Sequence, residues 1–227
     1  MDSQYNNLSE QYASKSDGYY ETERSEMLPF IPQDALSVLD VGCSSGGFGK
    51  LIKDMLPGAE VWGIEPSEDF AAIAKTKLDN AICSTFELGM PELAGKTFDC
   101  IIFNDVLEHL VNPEQALLDS KEYLGETGLV VASIPNILFF YQILEILVEQ
   151  DWKYRDEGIL DNTHLRFFTK KSIIRMFEAC GYEIVKIRGI NASFGLKYKT
   201  MNLLTLGFLR DWKYVQFAVE ARVAIKR

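Results

Sequence analysis

The residues best suited to chemistry lie in the stretch VLDVGCSSGGFGKLI, residues 38–52. An apolar run ends at Asp40, a turn containing Gly42 and Gly46 follows, and a helical pattern begins. Glycine has no Cβ, so the backbone of such a turn can approach a ligand closely. The helix N-terminus adds N–H groups and partial positive charge. The pattern predicts a ligand-binding turn.

The spacing of this turn excludes two common nucleotide-binding motifs. A phosphate loop of the G-x-x-x-x-G-K-[ST] type needs a hydroxyl residue where Leu51 stands, and its first glycine would fall on Ser44. The dinucleotide pattern G-x-G-x-x-G fails from Gly42 at the same serine, and from Gly47 it reaches Ile52. A different ligand is therefore indicated.

The two histidines, His109 and His164, are candidates for a general base, because imidazole titrates near neutral pH. His164 lies in GILDNTHLRFFTK, residues 158–170, with Asp161 before it and Arg166 after it. A carboxylate so close in sequence can orient the imidazole. The alternative is a loop histidine satisfied by the backbone, with Asp161 capping a turn.

The elements that must position these residues alternate between strand and helix. Apolar strands are predicted at 37–41, 61–65, 81–83, 98–105 and 128–135, and helices at 46–55, 67–78 (with Ser67 as N-cap) and 113–124. Such alternation predicts an α/β fold, an open parallel sheet with helices on both faces. Ligands of these sheets lie beyond the carboxyl ends of the strands, where the glycine turn falls.

The pattern changes after residue 135. Residues 136–170 form a predicted insertion, and a helix (170–180) and a strand (182–190) follow it. A second insertion, helical in part, spans 192–213. The strict alternation of apolar residues in 214–225 predicts a half-exposed antiparallel strand.

Glu65 ends the second predicted strand, where a carboxylate can bind both hydroxyls of a ribose. With it, the turn resembles the D-x-G-x-x-x-G motif of class I S-adenosylmethionine (SAM) methyltransferases. The stretch FDCIIFNDVLEHLVNPEQALL, from residue 98, resembles the region that follows this motif in the family. DWKYRDEGILDNTHLRFFT, from residue 151, resembles a bacterial subgroup, the methyltransferase type 23-like proteins, which are often associated with glycosyltransferases and polysaccharide biosynthesis.

The resemblance extends over nearly the whole chain and implies one domain, residues 1–227. The implied fold is a seven-stranded Rossmann-like sheet of strand order 3-2-1-4-5-7-6, with strand 7 antiparallel and helices on both faces. Residues 1–30 would form N-terminal lid helices. The insertions at 136–170 and 192–213 would lie on the acceptor side.

The resemblance also assigns roles residue by residue. The glycine turn would wrap the methionine part of SAM, Glu65 would hold the ribose, and Asn104 would lie under the sulfonium. Two departures from the family are Ser44, where many relatives have glycine, and Ser84, where an acidic residue commonly contacts the adenine. The implied cofactor-binding residues are Asp40, Gly42, Cys43, Ser44, Gly46, Glu65, Pro66, Ser67, Thr85, Phe86 and Asn104, with Tyr20 and Arg24 from a segment that folds over the cofactor in relatives; Arg24 would meet the SAM carboxylate.

The implied reaction is methyl transfer from SAM, with S-adenosylhomocysteine as product, to a small acceptor such as a hydroxyl of a sugar or polysaccharide precursor. The alternatives are a quinone or natural-product acceptor, or a noncatalytic SAM-binding module. His164 and His109 are the catalytic candidates, and Asp161, Arg166 and Tyr154 the substrate candidates. An aromatic acceptor wall is also conceivable, although Phe167 and Phe168 are expected in the core; its candidate members are Tyr141, Trp152, Tyr154, Phe167 and Phe168.

No metal is expected. Asp105, Glu108 and His109 resemble a constellation that binds a divalent ion in some quinone-pathway O-methyltransferases, but many relatives with L-E-H show no metal requirement. Glu108 and His109 are therefore expected to shape the wall of the site or to cap a helix. Four widely spaced cysteines, without a C-x-x-C pair, argue against zinc and against a disulfide framework.

Composition excludes other classes of partner. The net charge is −10, although residues 182–227 carry nine basic and three acidic residues. An acidic body argues against a nonspecific nucleic-acid binder, while the basic end can face an anionic substrate or a membrane surface. The N-terminus resembles no secretory signal and no apolar run reaches bilayer length, so a cytoplasmic protein is expected. A homodimer is compatible with these features.

Overall fold

The structure, a computed structural model, describes residues 24–225. Tyr20 and most of the predicted N-terminal lid therefore lie outside the described residues. The strands are β1 (Ser37–Val41), β2 (Glu60–Glu65), β3 (Asn80–Cys83), β4 (Phe98–Asn104), β5 (Leu124–Pro135), β6 (Tyr182–Ala192) and β7 (Tyr214–Val223). The α-helices are α1 (Gly47–Met55), α2 (Glu68–Ala74), α3 (Phe86–Gly89), α4 (Pro113–Ser120), α5 (Phe140–Glu149), α6 (Lys170–Ala179) and α7 (Leu196–Leu204). Short 3-10 helices occupy Ser25–Phe30, Met90–Leu93, Leu107–His109 and Lys121–Tyr123.

The seven strands form one sheet of order β3-β2-β1-β4-β5-β7-β6. Strands β1 to β5 pair in parallel, and β7 is antiparallel to both β5 and β6. The predicted strand order and antiparallel last strand are confirmed. Because the parallel strands share a direction, their carboxyl ends lie along one edge, where Val41, Glu65 and Asn104 end β1, β2 and β4.

Alternating residues of each central strand pack into two apolar cores, one on each face of the sheet. In β4, Ile101 and Phe103 belong to one core, and Cys100 and Ile102 belong to the other. This is the period of two that places successive side chains on opposite faces. Both faces are covered, which explains why the central strands read as continuous apolar runs.

Two predicted helix ends were wrong. The helix predicted to close at Gly125 ends at Ser120, because β5 begins at Leu124 and pairs with Phe98. A Cβ added at Gly128 would lie 2.8 Å from the carbonyl oxygen of Phe98, so this glycine allows close backbone contact within the strand. The second helix, predicted to run to residue 78, ends at Ala74.

The two insertions lie beyond the carboxyl ends of the central strands. The first forms α5 and then returns to its own start, where Asn136 and Phe168 form an isolated bridge. Thr169 caps α6 by accepting from the backbone N–H of Ser172. The second insertion carries α7, as its partly helical prediction implied. Among residues 24–225, no helix is both long and apolar enough to cross a bilayer.

Candidate functional site

The glycine turn folds back onto the carboxyl end of β2. The backbone N–H groups of Gly42 and Cys43 both donate to the carbonyl oxygen of Ile64, at 2.8 and 3.1 Å. Gly42 has φ +70°, and a Cβ there would lie 2.7 Å from Cγ2 of Val106. Gly46, with φ +74°, stands at the N-cap of α1. Both glycines are thus required by the turn itself, which must be left-handed and closely packed.

Glu65 holds this turn together with its carboxylate. One oxygen accepts from the backbone N–H of Ser44 and the other from that of Ser67, each at 2.9 Å. Burial raises the pKa of Glu65, and the two N–H donors oppose that rise. Ser67 occupies the predicted N-cap position, but its side chain makes no capping hydrogen bond. A carboxylate has about four lone-pair sites, so two remain for ribose hydroxyls.

Asp40 and Cys43 are buried within the turn, and both have raised pKa values. Burial and, second, the charge of Glu65 raise the pKa of Asp40 to about 7. Burial likewise raises the pKa of the Cys43 thiol, with the charges of Asp40 and Glu65 adding to the effect. The Cys43 side chain is therefore a neutral packing group and not a nucleophile.

Two buried polar side chains beside the turn fit a polar ligand. Both amide atoms of Asn104 and the hydroxyl of Thr85 are buried and have no hydrogen-bond partner among residues 24–225. Asn104 ends β4 and Thr85 follows β3, and the carboxyl ends of these strands flank those of β1 and β2. Buried polar groups are normally satisfied, so a polar ligand is a suitable partner for these two side chains. Phe86 is buried, and Pro66 is exposed at the end of β2.

Arg24 lies across the carboxyl ends of β4 and β5. Its guanidinium pairs with Asp105 and donates to the hydroxyl of Ser133 at 2.7 Å. Asp105 also accepts from Gln216 at 2.7 Å and has φ +54°, a left-handed conformation that aspartate adopts more readily than most non-glycine residues. Burial raises the pKa of Asp105, whereas Arg24 opposes the rise. Contact between Arg24 and the SAM carboxylate stays a prediction; its partners here are protein groups.

The segment 158–170 is docked on the turn that follows β4. The carbonyl oxygen of Glu108 accepts from the backbone N–H groups of Leu165 and Arg166, at 2.8 and 3.0 Å. The Arg166 guanidinium donates to the carbonyl oxygen of Val111 at 2.6 Å. These contacts bring the two histidines together, with 4.7 Å between the ring centroids of His109 and His164. The segment is therefore part of the site wall and not a solvated connector.

Backbone carbonyls orient both imidazoles. Nδ1 of His109 lies 3.2 Å from the carbonyl oxygen of Thr163, and Nδ1 of His164 lies 3.0 Å from that of Ile159. A carbonyl only accepts, so each neutral ring carries its proton on Nδ1 and is basic at Nε2. Asp161 was predicted to orient the imidazole of His164. In the structure its carboxylate accepts from the backbone N–H and the hydroxyl of Thr163.

Glu108 faces these imidazoles from the interior. It is 1% exposed, and neither carboxylate oxygen has a hydrogen-bond partner among residues 24–225. Burial raises the pKa of Glu108 well above its ordinary value, and the charge of Asp105 adds to the rise. Nε2 of His164 lies 3.9 Å from a carboxylate oxygen of Glu108. The raised pKa favours the neutral form of Glu108 beside this ring.

The same three side chains can hold a divalent cation. One ligand atom each from Glu108, His109 and His164 lie within 4.8 Å of one another. A histidine whose Nδ1 donates to a carbonyl is the usual form of a metal ligand. The set differs from the one considered from sequence, because Asp105 is bound by Arg24 and His164 arrives from the insertion.

The cofactor half and the histidine half of the site are contiguous. Val106, between Asn104 and Glu108 in the chain, packs directly on Gly42. Tyr154, a substrate candidate, is 52% exposed, and its ring lies 6.3 Å from that of Phe167.

Of the two phenylalanines that were expected in the core, only one is buried there. Phe168 is in the core as expected, while Phe167 is half-buried and packs edge-on against Trp152 at 5.1 Å. The sequence did not single out the carbonyls of Ile159 and Thr163, or Gln216. No local signal marks them, because their role depends on tertiary contact.

Comparisons with known proteins agree with this geometry. Residues 12–187 match the family model described as "Methyltransferase domain". A ubiquinone biosynthesis O-methyltransferase of Rickettsia canadensis is 29% identical over 167 residues, covering 68% of this chain and 66% of the relative. The first curated relatives are matched over 30% to 66% of their own length.

Solved structures share the fold. A SAM-dependent methyltransferase from Archaeoglobus fulgidus has a TM-score of 0.65 and 20% identity, covering 96% of this chain and 99% of that one. The plantazolicin methyltransferase BpumL, in complex with a desmethylPZN analog and SAH, has a TM-score of 0.61 and 19% identity, covering 97% and 91%.

Proposed function

Because the chain belongs to the family of methyltransferase domains, we propose that it transfers a methyl group from SAM to a hydroxyl of a small acceptor. A sugar or polysaccharide precursor is the first acceptor class in this proposal. The observation that supports it most is the contiguity of two half-sites: the Gly42 turn with Glu65, and an imidazole basic at Nε2 beside the buried carboxylate of Glu108. We also propose that the reaction takes place in the cytoplasm.

In the proposed binding mode, SAM is held by polar side chains at the carboxyl ends of the strands. SAM supplies an electrophilic methyl group on a sulfonium. The carboxylate of Glu65 accepts from the ribose hydroxyls, the amide of Asn104 lies under the sulfonium, and the hydroxyl of Thr85 contacts the adenine. Alignment of donor and acceptor accounts for most of the expected acceleration, about 7–11 kcal/mol in well-oriented reactions.

In the proposed reaction, His164 removes the proton of the acceptor hydroxyl. Nε2 of His164 accepts the proton of the acceptor hydroxyl, and its Nδ1 stays bound to the carbonyl oxygen of Ile159. Only the ionised form of Glu108 would stabilise the imidazolium that results, and burial, which raises the pKa of Glu108, opposes that form. His109 packs against the His164 ring and narrows the range of its orientations.

The second acceptor class is a phenol, as in a quinone precursor. It is favoured by the name of the Rickettsia canadensis relative. The half-buried ring of Phe167, with Trp152 and Tyr154 beside it, suits a flat acceptor. The noncatalytic alternative is disfavoured because the chain belongs to a family of methyltransferase domains.

Calorimetry with SAM, followed by radiolabelled methyl transfer to nucleotide sugars and to hydroxylated aromatic acids, tests the proposal. We expect SAM binding, and label incorporation in the sugar series. Incorporation in the aromatic series alone would replace the first acceptor class by the second. Absence of SAM binding would refute both the enzyme and the binding module.

A further inference from the structure

Helix α7 and the turn after it expose their most apolar side chains. The inner face of α7 is formed by Tyr198, whose hydroxyl contacts the carbonyl oxygens of Leu209 and Arg210 at 3.4 and 3.2 Å, and by Asn202. The outer residues are Leu196, Leu203 and Leu204, and the turn adds Leu206 and Phe208, each between 73% and 95% exposed. This polarity is inverted, since a helix on a globular domain normally buries its apolar stripe. A surface of this kind marks an interaction site.

The backbone of the turn presents these side chains outward. Leu206 has φ +51° and Gly207 has φ +81°. The left-handed region is unfavourable for leucine and common for glycine. At this end of α7 the N–H groups of Leu206 and Gly207 donate to the carbonyl oxygens of Leu203 and Asn202, and the side chain of Leu206 is left 95% exposed.

An apolar cavity adjoins the exposed face. It lies between α5 and α7, has a volume of about 420 Å³, and is lined mainly by Phe140, Leu144, Leu196, Thr200, Met201 and Leu204. The cavity is open to solvent along the same side as the exposed leucines. An apolar group that approaches the exposed leucines could therefore enter this cavity.

The charge of this region is opposite to that of the chain. Residues 192–213 carry four basic residues and one acidic residue, in a chain with a net charge of −10. The acidic residue, Asp211, is bound by Lys170 at 3.1 Å. Lys197, Lys199 and Arg210 have no ion-pair partner in the described part of the chain, so their charge is available to an anionic partner. Two acidic residues, Glu145 and Glu149, line the neighbouring groove together with Lys197, and Glu145 pairs with Arg155.

We propose that this face docks on an anionic phospholipid bilayer. The α7 surface comprises the apolar residues Phe194, Leu196, Leu203, Leu204, Leu206 and Phe208 and the basic residues Lys197, Lys199 and Arg210. Leucine and phenylalanine enter the interfacial region, and the basic side chains bind the headgroups. A two-fold dimer through the same face would oppose two like-charged segments, which makes a second copy the poorer occupant.

Vesicle sedimentation tests this docking independently of any methyl transfer. The probes are vesicles of phosphatidylcholine alone and vesicles of phosphatidylcholine mixed equally with phosphatidylglycerol. We expect binding to the mixed vesicles only, weakened by salt. Each basic residue contributes roughly fivefold to partitioning, so Lys197→Glu with Lys199→Glu should lower it at least about tenfold. Leu203→Gln with Leu206→Gln should lower it similarly, because the apolar anchor is removed.

Matched controls lie far along the sheet. Leu36→Gln changes a leucine that is also largely exposed, and Lys75→Glu changes an exposed lysine at the end of α2; both should bind vesicles like the wild type. Wild-type protein that ignores the mixed vesicles overturns the proposal. So does equal loss in the controls, or a dimer that the α7 variants convert to monomer without any vesicle binding.

Discussion

Nε2 of His164 lies 3.9 Å from a carboxylate oxygen of Glu108, and both side chains are buried. Burial raises the pKa of Glu108 well above its ordinary value, so the pair sets a carboxyl group in which the neutral form is favoured beside the imidazole. The two residues come from different parts of the chain, the turn after β4 and the insertion after β5. Their relationship therefore depends on the docking of the insertion through the Glu108 carbonyl.

His164→Ala should lower turnover by about 10²–10⁴-fold, the usual contribution of a positioned base. SAM affinity should stay near that of the wild type, because the glycine turn and Glu65 do not contact this ring. Rates and calorimetric affinities measured on one preparation check both statements. Leu165→Ala, one position along the same segment, is the matched control and should change neither. Unchanged turnover in the histidine variant would remove His164 from the mechanism.

Treatment with a chelator distinguishes two possible roles of His164, general base and metal ligand. A cation bound by Glu108, His109 and His164 would occupy the lone pair of Nε2 that the base requires. We therefore expect turnover to be unchanged after treatment with EDTA and insensitive to added Mg²⁺, Mn²⁺ or Zn²⁺. Activity lost on chelation and restored by one of these ions would instead show that the three side chains form a metal site.

Glu65→Gln should weaken SAM binding severely. The change removes the charge that accepts from the backbone N–H groups of Ser44 and Ser67, so the glycine turn loosens as the ribose partner is lost. Hydrogen bonds to a charged group contribute about 1.5–3 kcal/mol, which corresponds to a loss of affinity of roughly 10- to 100-fold. Glu60→Gln, at the other end of β2, changes an exposed carboxylate near Lys96 and serves as control. Equal SAM affinity in the two variants would contradict the assignment.

Asp40 should make stability depend on pH between about 4 and 7. Burial and the charge of Glu65 raise its pKa in the folded state to about 7, above an ordinary value of 3.8. The folded state thus keeps its proton longer, and stability falls as pH rises through this window and levels off above it. A shift of this size corresponds to on the order of 4 kcal/mol.

Asp40→Asn lacks this titration. The difference in unfolding free energy between variant and wild type should therefore move in favour of the variant as pH rises from 4 to 7, whatever constant offset the amide introduces. Urea unfolding across this range measures the difference. A difference that does not vary with pH would mean that Asp40 titrates normally in the folded protein.

The sequence by itself determined the central strands and the glycine turn, and its resemblance to a family implied the strand order. Both rest on local information: apolar periodicity sets the strands, and a short motif sets the turn between Asp40 and Gly46. Glu65 could be found because the end of a strand fixes its place at the sheet edge. Strand β5 was placed four residues late, since pairing of Leu124 with Phe98 is a tertiary contact that overrides the helical pattern.

Only the tertiary structure decided which groups surround the two histidines. Sequence proximity pointed to Asp161 as the partner of His164, but the ring is held by the carbonyl of Ile159 and faces Glu108. Sequence also grouped Asp105 with Glu108; their charges do interact, but the ion-pair partner of Asp105 is Arg24, and His164 lies beside Glu108. Side-chain partners across such distances in the chain follow from packing and from the need to satisfy buried polar groups, and neither is encoded in local spacing.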